Sequence, residues 1–136
     1  MAASEPMRKV LVERDTPAVG GDGALVEDIG IETLGGVFTP LLKTGCRTPC
    51  RDTENFGTAQ DNQTSLEVSL FRGKENVVSK NHALGVCHVV GLPKVSRGML
   101  QVLVTVEAAD RQIILYAVDN VTKKPYTVEC ESKSLK

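Results

Sequence analysis

A chain of 136 residues is long enough for one domain with a real core and too short for two. Its formal net charge of -1 argues against nucleic acid as a partner, because phosphate binding needs a basic face, and no apolar run approaches membrane-spanning length. Hydrophobic residues make up 41% of the chain but aromatic ones only 4%, so the core must be built from small branched side chains, which favours sheet over helix.

Residues 1–27 mix charges, Pro17 and the cluster Gly20-Gly21-Asp22-Gly23 without periodicity, and read as a mobile tail. No apolar signal core follows Met1, so the expected location is intracellular, in the cytoplasm. One island interrupts the tail. Val10-Leu11-Val12, between Arg8-Lys9 and Arg14, is a β-prone run that reads as a short edge strand or an apolar patch.

Ile29/Ile31 and Val37/Thr39/Leu41 then alternate on either side of Leu34-Gly35-Gly36, which predicts a strand, a turn using positive φ, and a strand. Residues 43–51, with Gly45 and Pro49, read as a loop, and Thr53 to Thr58, centred on Phe56, as a third strand. The cleanest alternation follows: Leu66, Val68 and Leu70 share one face, Ser65, Glu67 and Ser69 the other, as in a half-buried strand. After a polar loop to Asn81, strands are predicted at Leu84–Val90, at Gln101–Glu107 and at Ile113–Val118, the last apolar throughout as if covered on both sides. Tyr126, Val128 and Cys130 alternate in a final strand. Seven or eight short strands without an amphipathic helix of useful length predict an all-β antiparallel sandwich. The expected division is a tail over 1–27, a sandwich over 28–131 and a C-terminal tail over 132–136.

Little in the chain points to catalysis. His82 sits in the predicted polar loop and His88 in a strand, and no nucleophile motif, phosphate-cradling glycine loop or paired carboxylates accompany them, so an enzyme is not expected. Cys46 and Cys50 lack the two-residue spacing of most zinc knuckles, and the adjacent Cys87 and His88 point to opposite strand faces. No metal or other cofactor is expected, and the four cysteines read as reduced structural residues. The sequons at Asn62 and Asn120 read as chance matches.

The stretch from Ile29 to Thr39, with Asp61-Asn62-Gln63-Thr64, Asn81 to Gly85 and Arg97-Gly98-Met99, resembles the peptide-binding β-sandwich of the 70-kDa heat-shock protein (DnaK-type) chaperones. The likeness runs from about Asp28 to Val128 in the same order and spacing. It implies a channel at one end of the sandwich that takes an extended peptide, with a pocket for one apolar side chain lined by Ile31, Phe56, Leu66, Val68 and Val102. By the same resemblance Leu34 and Ala59 arch over the peptide main chain, and Thr33, Thr58, Gln63 and the Gly57 backbone fall where that main chain is hydrogen-bonded. Taken alone, Ile31, Val68 and Val102 read first as core fillers, as alternating apolar residues are in most sandwiches. Leu34, beside two glycines at a turn, has no evident core to enter and reads as a contact residue.

The chain departs from the family in several places. No ATPase domain or α-helical lid is expected to act with the sandwich, and Ala24-Leu25-Val26-Glu27-Asp28 is a poor substitute for the family's linker. Asp61 and Arg97 match positions that latch the lid, so unpaired surface charges are expected there. Leu66 stands for the usual valine, and Val68 and Val102 for isoleucines, which reshapes the pocket. The expected function is ATP-independent binding of leucine-centred segments of unfolded polypeptides. The alternative is a self-associating structural or adaptor protein, its groove filled by its own tail or a neighbour's through Val10-Leu11-Val12.

Overall fold

A two-residue apolar period produces strands that bury one face, and antiparallel pairing of such strands leaves the other face polar. The computed structural model describes residues 9–12, 20–33, 35–109 and 112–132. Within them the strands are β1 (Lys9–Val12), β2 (Asp28–Thr33), β3 (Val37–Leu42), β4 (Cys50–Gly57), β5 (Ser65–Gly73), β6 (His82–Val90), β7 (Gln101–Ala109), β8 (Gln112–Asp119) and β9 (Thr127–Ser132). The strands from β2 to β9 are those the alternation predicts. β1 is the island in the predicted tail, and it takes the edge-strand alternative. His82 opens β6 rather than lying in a loop.

Two antiparallel sheets result, ordered β1-β8-β7-β4 and β3-β2-β5-β6-β9. A single apolar cluster joins them, with Ile31, Leu66, Val68, Leu70 and Val89 from one sheet against Val102, Val104, Val106, Ile113 and Leu115 from the other. β8 is less symmetric than its sequence suggests: Ile113, Leu115 and Ala117 are buried, whereas Ile114, Tyr116 and Val118 are half-buried. The hairpin also differs in detail. A register shift between Ile29 and Gly30 pairs Ile29 with Leu42 and Gly30 with Pro40, so Leu41 is the extra residue of a bulge and leaves the Val37/Thr39 alternation. Gly30 fits because a Cβ there would run into the Thr39 carbonyl and lie 2.7 Å from the Pro40 Cα.

The packed unit begins before Asp28. Leu25 is only 2% exposed and belongs to the apolar cluster, held by hydrogen bonds from its N–H to the Cys46 carbonyl (2.9 Å) and from the Gly45 N–H to its own carbonyl (2.8 Å). β1 pairs antiparallel with β8 in the register Lys9–Leu115 to Val12–Gln112. Its place is on a sheet edge at the end of β8 remote from Val102, so residues 9–12 do not occupy the expected groove.

The cysteines require a further correction. Cys46 is joined to Cys50 and Cys87 to Cys130, with Cα separations of 6.4 and 4.0 Å, and no described cysteine is free. Reduced residues are what an intracellular location implies, and no feature local to the sequence pairs Cys87 with Cys130. The β6–β9 register sets them directly opposite.

Candidate functional site

Antiparallel polarity collects several strand ends at one end of the sandwich. Gly57, the last residue of β4, pairs with Gln101, the first of β7, and Ser65, the first of β5, pairs with Val90, the last of β6. The close of β2 lies at the same end, because Ile31 pairs with Leu70 and β2 runs on from there towards the start of β5. The hairpin turn and the loops 58–64 and 91–100 therefore form one rim.

Short polar contacts knit these two loops together. Within the first loop, the Gln63 side-chain carbonyl accepts from the Ala59 N–H (2.8 Å) and the Gln60 N–H (3.2 Å), while its amide nitrogen donates to the Ser65 carbonyl (2.8 Å). Between the loops, the Arg97 N–H donates to Asp61 Oδ1 at 2.9 Å, and the Asn62 N–H to the Val95 carbonyl at 2.8 Å. The Gly98 N–H is shared by the Thr58 carbonyl and Oγ1, each at 3.0 Å, and the Leu92 N–H donates to the Thr64 carbonyl. The Asp61 carboxylate meets the facing loop through a neutral backbone group, the N–H that it caps.

The expected site residues fall into groups. Ile31, Val68 and Val102 are fully buried and Leu66 is 7% exposed, all within the apolar cluster. Phe56, directly opposite Val102 on the β4–β7 ladder, is only partly buried at the margin of that cluster. The structure brings these five together, with the four aliphatic walls packed as interior and one aromatic wall reaching solvent. Leu34 lies outside the described residues. Of the polar residues, Thr33 hydrogen-bonds Thr39 through their hydroxyls (2.8 Å), Thr58 is buried and holds Gly98, and Gln63 shapes its own loop. Gly57 and Ala59 are exposed on the rim.

The sequence motif Arg97-Gly98-Met99 did not announce that Met99 stands 73% exposed within the 91–100 loop. The signal it carried was a long apolar side chain at a turn, with Gly98 at φ 79°. Sequence reasoning also missed the capping role of Asp61, legible in hindsight from an acidic residue opening an Asp-Asn turn.

A second feature lies at the same end. Asp119 Oδ2 accepts from the N–H groups of Val121 (3.0 Å) and Thr122 (2.8 Å), and Tyr126 donates its hydroxyl to Asp119 Oδ1 (3.1 Å). The Thr122 N–H, outweighing partial burial and helped by Tyr126, holds the Asp119 carboxyl below the usual range. Burial, with the Asp119 bond and charge, pushes the Tyr126 phenol up to about 12. The Asn120 N–H donates to the Gln101 carbonyl (2.9 Å), which ties this turn to the start of β7.

Among the described residues no helix is long and apolar enough to cross a membrane. The family model described as Hsp70 protein matches residues 25–135, which spans both sheets apart from β1 and includes every rim residue described above. Folded as an antiparallel sandwich of the expected kind and matched over most of its length, the chain belongs to the Hsp70 family of chaperone proteins.

Proposed function

We propose that the chain binds extended, leucine-centred segments of unfolded polypeptides at this rim, by the sandwich alone and without ATP, as a binding module rather than an enzyme. The peptide side chain is received between Phe56 and the aliphatic walls Ile31, Leu66, Val68 and Val102. Leu34 and Ala59 face the peptide main chain, and Thr33, Gly57, Thr58 and Gln63 hold the loops that offer it hydrogen bonds. The observation that carries this reading is the position of Phe56, a partly buried aromatic packed at the margin of the apolar cluster, at the end where the loops are knitted together. Entry of a leucine parts Phe56 from its neighbours rather than filling a standing cavity.

The energetics fit weak, promiscuous binding. Burying one leucine contributes about 1.5–3 kcal/mol and each main-chain hydrogen bond about 1 kcal/mol net. After the cost of ordering the peptide, micromolar affinity, about -8 kcal/mol, is expected. Fluorescence anisotropy with a labelled heptapeptide carrying a central leucine between basic residues tests this. Saturable binding that falls at least about tenfold in Phe56→Ala supports the proposal. A chain that stays folded and gives no saturable change up to high micromolar protein overturns it.

A further inference from the structure

With β1 set aside, the outer strands β3, β4, β8 and β9 are not equally protected against pairing with another chain. Unpaired strand edges invite a further strand, and proteins deter this with proline, exposed charge or very short edges. β3 carries Pro40, β4 carries exposed Arg51, Asp52 and Glu54, and β9 carries exposed Glu129 and Glu131. β8 has no such device along Ile113-Ile114-Leu115-Tyr116. Yet among the described residues it is the strand whose second edge is covered piecewise from end to end. β1 covers Gln112 to Leu115. The returning loop covers the remainder, where the Tyr126 N–H donates to the Ala117 carbonyl (2.9 Å), Val118 bridges Pro125, and the Asp119 N–H donates to the Lys124 carbonyl (2.9 Å).

The two covers differ in attachment. The loop 120–126 continues directly from β8, whereas β1 is joined to Gly20 by residues 13–19 and holds its place through a four-residue ladder. We propose that the edge of β8 from Gln112 to Leu115 is a strand-addition site for the segment Lys9–Val12. The chain's own copy fills it here, and the same segment of a second copy takes it in exchange. Every β1–β8 ladder contact is conserved in the exchange, so the balance rests on the effective concentration that the connection gives the chain's own strand. The site lies at the opposite end of β8 from the rim and is independent of peptide binding there.

The test uses the full chain carrying Val10→Pro and Leu11→Pro. Alternate residues of an antiparallel ladder point their N–H groups at the neighbour, so two adjacent prolines remove a ladder donor whatever the phase. A labelled synthetic peptide of residues 7–14 then binds this variant saturably, one to one, at least about tenfold more tightly than it binds the unaltered chain, whose own strand competes. A central-leucine heptapeptide does not displace it. Equal affinity for the two chains, displacement by the heptapeptide, or no binding by a folded variant overturns the proposal. Should the variant not fold, a chain with about fourteen glycine and serine residues inserted between Asp15 and Thr16 serves instead. Tripling the connection lowers its effective concentration about fivefold and strengthens peptide binding by the same factor; unchanged binding overturns the proposal.

Discussion

The rim and the opposite end of the sandwich are both closed by short connections, but different forces hold them. At the far end Leu25 enters the core, residues 20–25 run along the loop 43–50 through paired backbone hydrogen bonds, and Cys46 is joined to Cys50. There too the buried Arg72 pairs with Glu27, and the Thr44 N–H and hydroxyl both donate to Asp28 Oδ1 at 2.7 Å. At the rim the loops meet almost entirely through single hydrogen bonds at or near the surface, over apolar walls that belong to the core. A hydrogen bond contributes about 1 kcal/mol net, against about 2–5 kcal/mol for a buried leucine side chain. One end is therefore anchored by burial, and the other is held in shape by individually weaker hydrogen bonds.

The largest effect belongs to the bulge that seats β2 against β3. Gly30→Ala places a methyl group against the Thr39 carbonyl and Pro40 Cα, backbone atoms that cannot move aside alone, and lowers stability by about 3 kcal/mol or more in urea denaturation. A cost below about 1 kcal/mol would mean that the bulge yields freely. Next, Leu25→Ala leaves a cavity at the anchored end and costs about 3 kcal/mol in the same assay, with peptide affinity at the rim unchanged in the chain that remains folded. Loss of both together would erase the distinction between the two ends.

Asp61→Ala reverses that pattern. It removes the cap on the Arg97 N–H, an exposed contact, so stability falls by less than about 1 kcal/mol while peptide dissociation quickens severalfold in stopped-flow measurements. A variant with wild-type dissociation kinetics would show that the two loops do not need each other. The smallest effect comes from Tyr126. Its folded-state pKa is raised from 10.0 to about 12, so the folded chain binds more protons than the unfolded one in that interval. The stability contributed by this phenol is present below pH 10 and lost as pH rises towards 12. Ultraviolet titration should show a phenol ionising near 12, and Asp119→Asn should lower that value.

Much of the fold was legible because a two-residue apolar period is a local property. Leu66, Val68 and Leu70 announce β5 and its buried face, and Leu34-Gly35-Gly36 announces a turn whose two glycines have φ of 74° and 96°. The site was legible only through family resemblance. Alternating aliphatic residues look the same whether they line a pocket or fill a core, and Ile31, Val68 and Val102 are buried in the core. Side-chain hydrogen bonds were harder still: nothing local to the sequence announces that the Gln63 amide engages backbone groups at positions 59, 60 and 65.

Taken by itself, the order of residues determined which segments become strands, which face of each turns inward, and that the assembly is a sandwich of this chaperone family. Only the tertiary structure decided which strands become neighbours, and with them the facing of Cys87 and Cys130, the pairing of Asp61 with the Arg97 backbone, and the lodging of residues 9–12 on β8. The reason is one of range. Strand and turn preferences act over a few bonds, whereas register and edge pairing depend on groups that meet only after the chain has closed on itself.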